Sequence, residues 1–220
     1  MDRYETTVSA DTDSTATLGV PTEGCGSERL YQPALTLLMG TSRSDSERLH
    51  CHHLLRPSDA DILIVDFTRF PDERLTEVYR CGDPIGDLRI LSCVAGRRGF
   101  TKDQSVNTDQ ARHVIETIPM PDDLLKIGIR IIEIFDEWRS NPREIAVCIN
   151  SLTSLLHYVD NGEAFRFLNV LKGHVYEVGA QVHLHVERGA HDPFTLNQFH
   201  PLFEAIVDTA TLDSGEPLLP

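Results

Sequence analysis

The chain has 220 residues, 40% of them hydrophobic, which is enough for one sizeable domain with a single apolar core. Its formal net charge of −14, from 34 acidic and 20 basic residues, argues against unaided binding to nucleic acids, because that affinity comes from basic side chains that neutralise phosphates. No signal-peptide core and no apolar run of about 18 residues occurs, so the expectation is a cytoplasmic protein without membrane contacts.

The basic residues are unusual in kind, because 17 of the 20 are arginines and only Lys102, Lys126 and Lys172 are lysines. Strong acidity with scarce lysine is typical of proteins from salt-accumulating halophiles, whose carboxylates keep the surface hydrated. At molar salt the Debye length is only ~3 Å, so a charge of this size is nearly screened. An ordinary acidic protein is the alternative that the composition leaves open.

Composition also predicts where the domain begins and ends. Residues 1–29 are rich in Thr, Ser, Asp, Glu and Gly and hold too few apolar side chains to offset the cost of ordering, which predicts a disordered tail. The domain is predicted over residues 30–208, and residues 209–220 are predicted to form a second, short tail.

Apolar runs of strand length alternate with helical patterns along this domain. Such alternation predicts right-handed βαβ crossovers, and hence an α/β fold with a mainly parallel sheet covered by helices on both faces. The predicted strands are 34–39, 61–67, 88–94, 145–149, 181–186 and 204–208, the last at a sheet edge. The predicted helices are 45–55, one that opens at Pro71, one that starts near Met120, one that follows Asn150, 163–177, and a helix or turn over 195–203.

Two segments need separate description, the central strand with the turn that follows it and a segment without periodicity. Ile145 to Ile149 is an uninterrupted apolar run, and Asn150 and Ser151 then turn the chain into a helix, at the kind of position where open α/β sheets carry their sites. Ala95 to Thr117 has no clear periodicity, so we interpret it as a long loop with a short helix near residues 110–114.

These elements resemble the RecA/KaiC-like ATPase fold and, more narrowly, a group of haloarchaeal proteins of unknown function related to it (HTR-like proteins). The resemblance covers about residues 34–208. It lies in the first strand ending at Gly40, in Val65-Asp66-Phe67 followed by Pro71-Asp72-Glu73, in Asn150 to Leu156, and in His183 to Val186. It implies a fold whose active members bind and hydrolyse ATP.

An active relative would carry G-x-x-x-x-G-K-[ST] after the first strand, where backbone N–H groups and the lysine hold the phosphates and the hydroxyl binds Mg²⁺. Counting from Gly40, Asp45 replaces the second glycine, Ser46 the lysine and Glu47 the hydroxyl residue. Two carboxylates would therefore face the phosphates.

The resemblance fails in two further motifs. The acidic residues that follow the second strand in active relatives correspond to Thr68 and Arg69, and Asn150 stands where an aspartate would coordinate the metal. Because phosphoryl transfer depends almost entirely on positioning and electrostatic stabilisation, three failures together predict a domain without ATPase activity. The degenerate nucleotide-site positions are Gly40, Ser46, Glu47, Thr68 and Asn150.

The favoured hypothesis is a non-catalytic regulatory or scaffold domain in haloarchaeal signalling, with protein partners, in a homo- or hetero-oligomer and with no cofactor. The alternative is a nucleotide-binding switch or weak ATPase in which Arg43 or Arg69 replaces the missing lysine. A third class, a DNA-associated recombination accessory protein, rests only on analogy of fold.

The number and spacing of the cysteines indicate their redox state. They number five and include no C-x-x-C pair, so we expect them to be reduced and mostly buried. Cys148 lies inside the central apolar strand and is interpreted as a small core residue, because a nucleophilic role would need exposure beside a histidine.

Histidines offer two weak candidates for a metal site. His50-Cys51-His52-His53 contains good zinc ligands, but on a helix they point in different directions, which favours a solvated helix face. His183 and His185 share one face of their strand, which suits a metal or half-buried packing, and packing is preferred unless His157 or His174 converges on them. The sequence therefore predicts no metal site.

Overall fold

The computed structural model describes residues 33–55, 60–79, 86–94, 104–108 and 111–210. These residues form a sheet of eight strands with helices packed on both faces, which confirms the predicted α/β fold class. Seven strands are mutually parallel, and the eighth is antiparallel at one edge. The predicted tail over 1–29 and nearly all of the one over 209–220 lie outside the described residues.

The strands, in chain order, are β1 (Leu35–Gly40), β2 (Ala60–Asp66), β3 (Leu88–Ser92), β4 (Gln104–Thr108), β5 (Ala111–Thr117), β6 (Glu144–Asn150), β7 (Gln181–Glu187) and β8 (Ala205–Asp208). Their order in the sheet is β4-β5-β3-β2-β6-β7-β1-β8. The helices are α1 (Asp45–Leu55), α2 (Pro71–Tyr79), α3 (Leu124–Trp138), α4 (Leu152–Leu155), α5 (Asn161–Val178) and α6 (Pro193–Phe199), followed by a 3₁₀ turn (His200–Leu202).

The predicted long loop between Ala95 and Thr117 is wrong. β4 and β5 lie in this segment, and β5 pairs in parallel with β3 while β4 pairs antiparallel with β5. Polar residues interrupt the apolar pattern of β5, and one of them, Glu116, accepts hydrogen bonds from Arg130 of α3 at 2.5 Å. The pairing with β3 and this ion pair stabilise a strand that local periodicity does not indicate.

The helix predicted after Asn150 is also shorter than expected. Ser151 caps α4 by accepting a hydrogen bond from the Ser154 N–H at 3.2 Å, but α4 has only four residues. Asp160 then opens α5 with a capping box, in which its side chain accepts from the Glu163 N–H at 2.8 Å. Two caps within ten residues separate α4 from α5, which corresponds to the helix predicted over 163–177.

The two faces of the sheet are covered differently. α3 and α5 pack on one face over the larger apolar cluster, which includes Ile131, Phe135 and Trp138. α1 and α2 pack on the other face over a smaller cluster, to which they contribute Cys51, Leu55 and Val78. Because side chains alternate along a strand, Val147 faces the first cluster and Cys148 the second.

Candidate functional site

The candidate site lies where β1, β2, β6 and β7 end and where α1 and α2 cover the sheet. These strands are parallel neighbours or next neighbours, so their carboxyl ends meet at one edge. The structure brings all five degenerate nucleotide-site positions to this edge: Gly40, Ser46, Glu47, Thr68 and Asn150. Among them, the Asn150 amide lies 3.3 Å from the Thr68 hydroxyl, and Gly40 lies next to Glu47.

Asp66 organises the ends of β2 and β6. Its Oδ1 accepts hydrogen bonds from the Thr68 N–H at 2.8 Å, the Thr68 hydroxyl at 2.9 Å and the Arg69 N–H at 2.8 Å. Its Oδ2 accepts from the Asn150 amide at 3.1 Å and forms an ion pair with Arg74. Asn150 therefore serves as a hydrogen-bond donor to Asp66, which is fully buried.

Gly40 and Ser46 lie on the other side of the site, next to Thr209. A Cβ added at Gly40 would come within 2.6 Å of the Thr209 Oγ1, so any larger residue at this position would require the Thr209 side chain to move. The Ser46 hydroxyl lies 3.5 Å from the Thr209 carbonyl oxygen. The space beside the end of β1 is thus filled by protein atoms from the segment that follows β8.

Glu47 is the buried centre of the first turn of α1, with 3% of its surface exposed. Its two carboxylate oxygens are both engaged, one with the His185 Nδ1 at 2.5 Å and the other with the Arg43 N–H at 2.6 Å. Burial acts to raise the pKa of Glu47, but the bonds from His185 and Arg43 outweigh it and lower the pKa. Glu47 is therefore held as a carboxylate.

Two buried arginines connect this carboxylate to α2. Arg69 donates both to Glu77 Oε1 at 2.6 Å and to Glu77 Oε2 at 2.8 Å, and Arg74 donates to Glu77 Oε2 at 2.7 Å. Arg69 also lies 3.8 Å from Glu47. Each guanidinium is about 4% exposed, so the positive charges are compensated by carboxylates rather than by water.

Below these ion pairs, four side chains with thiol or imidazole groups meet on the α1-facing side of the sheet: Cys51, Cys148, His183 and His185. All four are buried, and their ligand atoms lie within 4.8 Å of one another. The Cys51 and Cys148 sulfur atoms are 3.8 Å apart. The His183 Nε2 lies 3.3 Å from the Cys51 Sγ, and the His185 Nε2 lies 3.4 Å from the Cys148 Sγ.

The proton affinities of this cluster depend on its internal contacts. The hydrogen bond with Cys148 lowers the pKa of Cys51, and both histidines reinforce the shift, while burial raises the pKa of Cys148. Burial lowers the pKa of His183. Burial alone would also lower that of His185, but the Cys51 thiolate and the Glu47 carboxylate outweigh it and raise the pKa to about 9.

A cavity of about 220 Å³ gives access to this region, with walls from α1, α2 and β7. Glu47 and Cys51 line it on the α1 side, Arg74 on the α2 side, and His185 at its base. The cavity therefore connects the buried cluster with the outer surface between the two helices.

Sequence reasoning did not foresee this cluster. Cys148 is a buried strand residue, as predicted, but it lies beside His185 and accepts a hydrogen bond from Arg74 at 3.0 Å. The helix face that carries Cys51 was predicted to be solvated, and Cys51 is only 5% exposed. The group that joins His183 and His185 consists of the two cysteines rather than His157 or His174.

One signal in the sequence points to part of this arrangement. Glu47, Cys51 and Leu55 are spaced four residues apart, which places them on one face of α1, and all three are buried. The strand alternation likewise places His183 and His185 together. The pairing of Cys148 with His183 in neighbouring strands requires the order of β6 and β7, which the sequence does not display.

The fold and site define an α/β protein with a mainly parallel sheet and a polar cluster at the carboxyl ends of its central strands. Residues 34–209 match a family described as a family of unknown function (DUF7504), and the chain belongs to that family. A comparison with curated proteins finds no match. Among the described residues, no helix has the length and apolar character needed to cross a membrane.

A solved structure shares the fold. It was reported as a structural study of a Pyrococcus horikoshii OT3 protein, and it is 14% identical to this chain, with a TM-score of 0.50. The match covers 82% of this chain and 84% of that one. At this level of identity the similarity concerns the fold alone.

Proposed function

We propose that this chain is a non-catalytic RecA/KaiC-like domain that acts as a regulatory or scaffold component through protein–protein contacts, in the cytoplasm of a haloarchaeon. The observation that carries the proposal is the state of Glu47. Glu47, which by the count from Gly40 replaces the hydroxyl residue of an active relative's phosphate-binding loop, is a buried carboxylate bonded to His185 and to the Arg43 N–H.

Electrostatics support the loss of phosphate binding. One negative charge of a phosphate placed about 4 Å from Glu47 would be repelled by roughly 4 kcal/mol at an effective dielectric constant of 20. The nearby cations, His185, Arg69 and Arg74, are already shared among Glu47, Asp66 and Glu77, so none of them is available to a phosphate. Binding of phosphate would require breaking buried ion pairs.

Metal-dependent hydrolysis is also poorly supported at the end of β6. The Asn150 amide donates to Asp66 and lies 3.3 Å from the Thr68 hydroxyl, so its Nδ2 faces the carboxylate. A neutral amide brings no negative charge to Mg²⁺, which prefers carboxylate and phosphate oxygens. The arrangement serves to join β2 to β6.

Two exposed apolar side chains on α3 suggest a contact surface for a scaffold. Leu125 is 75% exposed and Ile129 is 49% exposed, and their spacing places them one turn apart on the same side of the helix. If the chain self-associates in sedimentation velocity, the variant Leu125→Asp/Ile129→Asp is expected to weaken the association. The matched control is Val170→Asp on α5, which is 61% exposed.

The decisive experiment combines hydrolysis and binding in molar KCl. We expect no ATP hydrolysis above the rate of a buffer blank, and no calorimetric heat with ATP or GTP. Hydrolysis that Asn150→Ala abolishes would overturn the proposal. Heat with either nucleotide, without turnover, would replace it with the nucleotide-binding switch.

A further inference from the structure

The cluster of Cys51, Cys148, His183 and His185 has the dimensions of a metal site. For a tetrahedral zinc ion with Zn–S of about 2.3 Å and Zn–N of about 2.0 Å, neighbouring ligand atoms are separated by about 3.8 Å for two sulfurs and about 3.5 Å for sulfur and nitrogen. The structure has 3.8 Å between the sulfurs and 3.3 and 3.4 Å for the two sulfur–nitrogen pairs. Each distance agrees within a few tenths of an ångström.

The positions of these side chains are determined by rigid elements. Cys148 and His183 are directly paired in the neighbouring strands β6 and β7, and His185 follows His183 on the same face. Cys51 comes from α1, which packs over that face. Ligands on strands and helices are held more precisely than ligands on loops, which favours a site that is formed before the metal binds.

The hydrogen bonds around the cluster are those that a metal site needs. The Glu47 carboxylate lies 2.5 Å from the His185 Nδ1, so it accepts that N–H and leaves Nε2 directed at the sulfurs. Carboxylate, histidine and metal commonly form such a chain, in which the carboxylate fixes the ring and raises its basicity. Arg74 donates to the Cys148 sulfur at 3.0 Å, which stabilises a thiolate.

We propose that Cys51, Cys148, His183 and His185 bind one zinc ion in a closed tetrahedral site that links α1 to the sheet. Two thiolates neutralise the charge of Zn²⁺, and two sulfurs with two imidazoles are a ligand set that selects zinc. Four protein ligands leave no open position for a substrate, so the role of the ion is structural. The cavity lined by Cys51 and His185 provides the entry path.

The proposal goes beyond the scaffold function and does not depend on it. It also accounts for four ligand-type side chains that meet within the core on this face. Because a metal that binds only the folded state adds its binding free energy to stability, zinc is expected to raise the melting temperature of the metal-free protein.

The first test uses the full chain, purified under reducing conditions in molar KCl and stripped of metal. We expect it to bind one Zn²⁺ per chain in competition with a chromophoric chelator. Co²⁺ in its place should give thiolate-to-cobalt charge-transfer absorption and the intense visible bands of a tetrahedral ion. X-ray absorption at the zinc edge should show two sulfur and two nitrogen neighbours, a result that requires no variant to fold.

The second test uses single substitutions with a matched control. Cys51→Ser and Cys148→Ser are expected to weaken zinc binding by more than about 100-fold, whereas Cys93→Ser, a buried cysteine on the opposite face, should leave it unchanged. Glu47→Gln keeps all four ligands and is expected to weaken binding by about 10- to 100-fold with an unaltered tetrahedral cobalt spectrum.

Several outcomes would overturn the proposal. They are a zinc environment without sulfur, an octahedral cobalt spectrum, or zinc affinity that the Cys51 and Cys148 substitutions do not change. A Cys51–Cys148 disulfide that persists in the reduced, zinc-treated protein would overturn it as well. Circular dichroism of each variant separates loss of binding from loss of fold, and the wild-type spectra decide the matter if a variant is unfolded.

Discussion

The two faces of the sheet are stabilised by different chemistry. On the α3/α5 face, long apolar side chains such as Ile131 and Phe135 fill a continuous core, and a buried arginine, Arg89, is paired with carboxylates beside Trp138. On the α1/α2 face, a smaller apolar cluster surrounds thiols, imidazoles, and carboxylates paired with buried arginines. The first face depends mainly on apolar packing, and the second depends to a larger extent on specific polar partners.

Salt is expected to give the largest effect, because the charge of −14 is shared by the whole molecule. At about 0.01 M KCl the Debye length is ~30 Å, so repulsion across the domain approaches the ~5–15 kcal/mol of typical folding stability. We expect cooperative structure to be lost below a few tenths molar KCl and regained when salt is restored. Far-UV circular dichroism across a KCl series measures this, and a constant melting temperature would remove the main support for a halophilic origin.

The same titration compares the faces directly. Trp138, the only tryptophan, is 2% exposed on the α3/α5 face, so its fluorescence reports on that face. Cobalt absorption would report on the α1/α2 face. Coincident transitions would mean that both faces unfold as one unit, whereas loss of the cobalt absorption at a higher KCl concentration than the change in Trp138 fluorescence would mean that the α1/α2 face opens first.

Removing a large buried side chain from the α3/α5 face should have the next largest effect on the free energy of unfolding. Phe135→Ala should lower the free energy of unfolding by about 3–5 kcal/mol, because Phe135 is 1% exposed and its loss leaves a cavity. Urea denaturation at constant KCl gives the value. Leu125→Ala on the same helix, 75% exposed, should change it by less than about 0.5 kcal/mol. Equal effects of the two substitutions would contradict the packing described for α3.

Removing an arginine from an ion pair should lower the free energy of unfolding more on the α1/α2 face than on the α3/α5 face. Arg74→Met leaves Asp66 and part of Glu77 buried without a cation, so we expect a loss of about 3 kcal/mol, at the lower end for buried pairs because Arg69 still binds Glu77. Arg130→Met, on α3, removes ion pairs of an arginine whose side chain is 23% exposed and should cost about 1 kcal/mol or less. The same urea assay applies, and a larger effect at Arg130 would reverse the comparison.

The smallest expected effect concerns the start of α5. Asp160→Ala removes the acceptor for the Glu163 N–H and should lower stability by about 1 kcal/mol. Asp160→Asn keeps an acceptor oxygen and should lose much less. The effect is small because α5 is held mainly by Leu168, Leu171 and Val175 in the apolar core. A loss above about 3 kcal/mol would show that the cap, rather than packing, holds this helix.

Local chemistry determined much of the fold. The helix predicted over 45–55 is α1 with the same bounds, because a polar segment precedes it and Pro57 follows. The central strand is found as predicted, with one more residue at each end, because five consecutive apolar residues suit a strand covered on both faces. Gly40 and Asn150 lie at the same edge of the sheet because they end the parallel strands β1 and β6.

Only the tertiary structure decided the rest. β5 is a strand because β3 offers it a pairing edge and Arg130 pairs with Glu116, and neither contact is visible as periodicity in residues 95–117. Cys51 and His183 are 132 positions apart, and their contact depends on strand order, on strand register and on the side of the sheet that α1 covers. The hydrophobic periodicity of a segment shows which of its faces is buried. The packing of the whole chain determines which other segment covers that face.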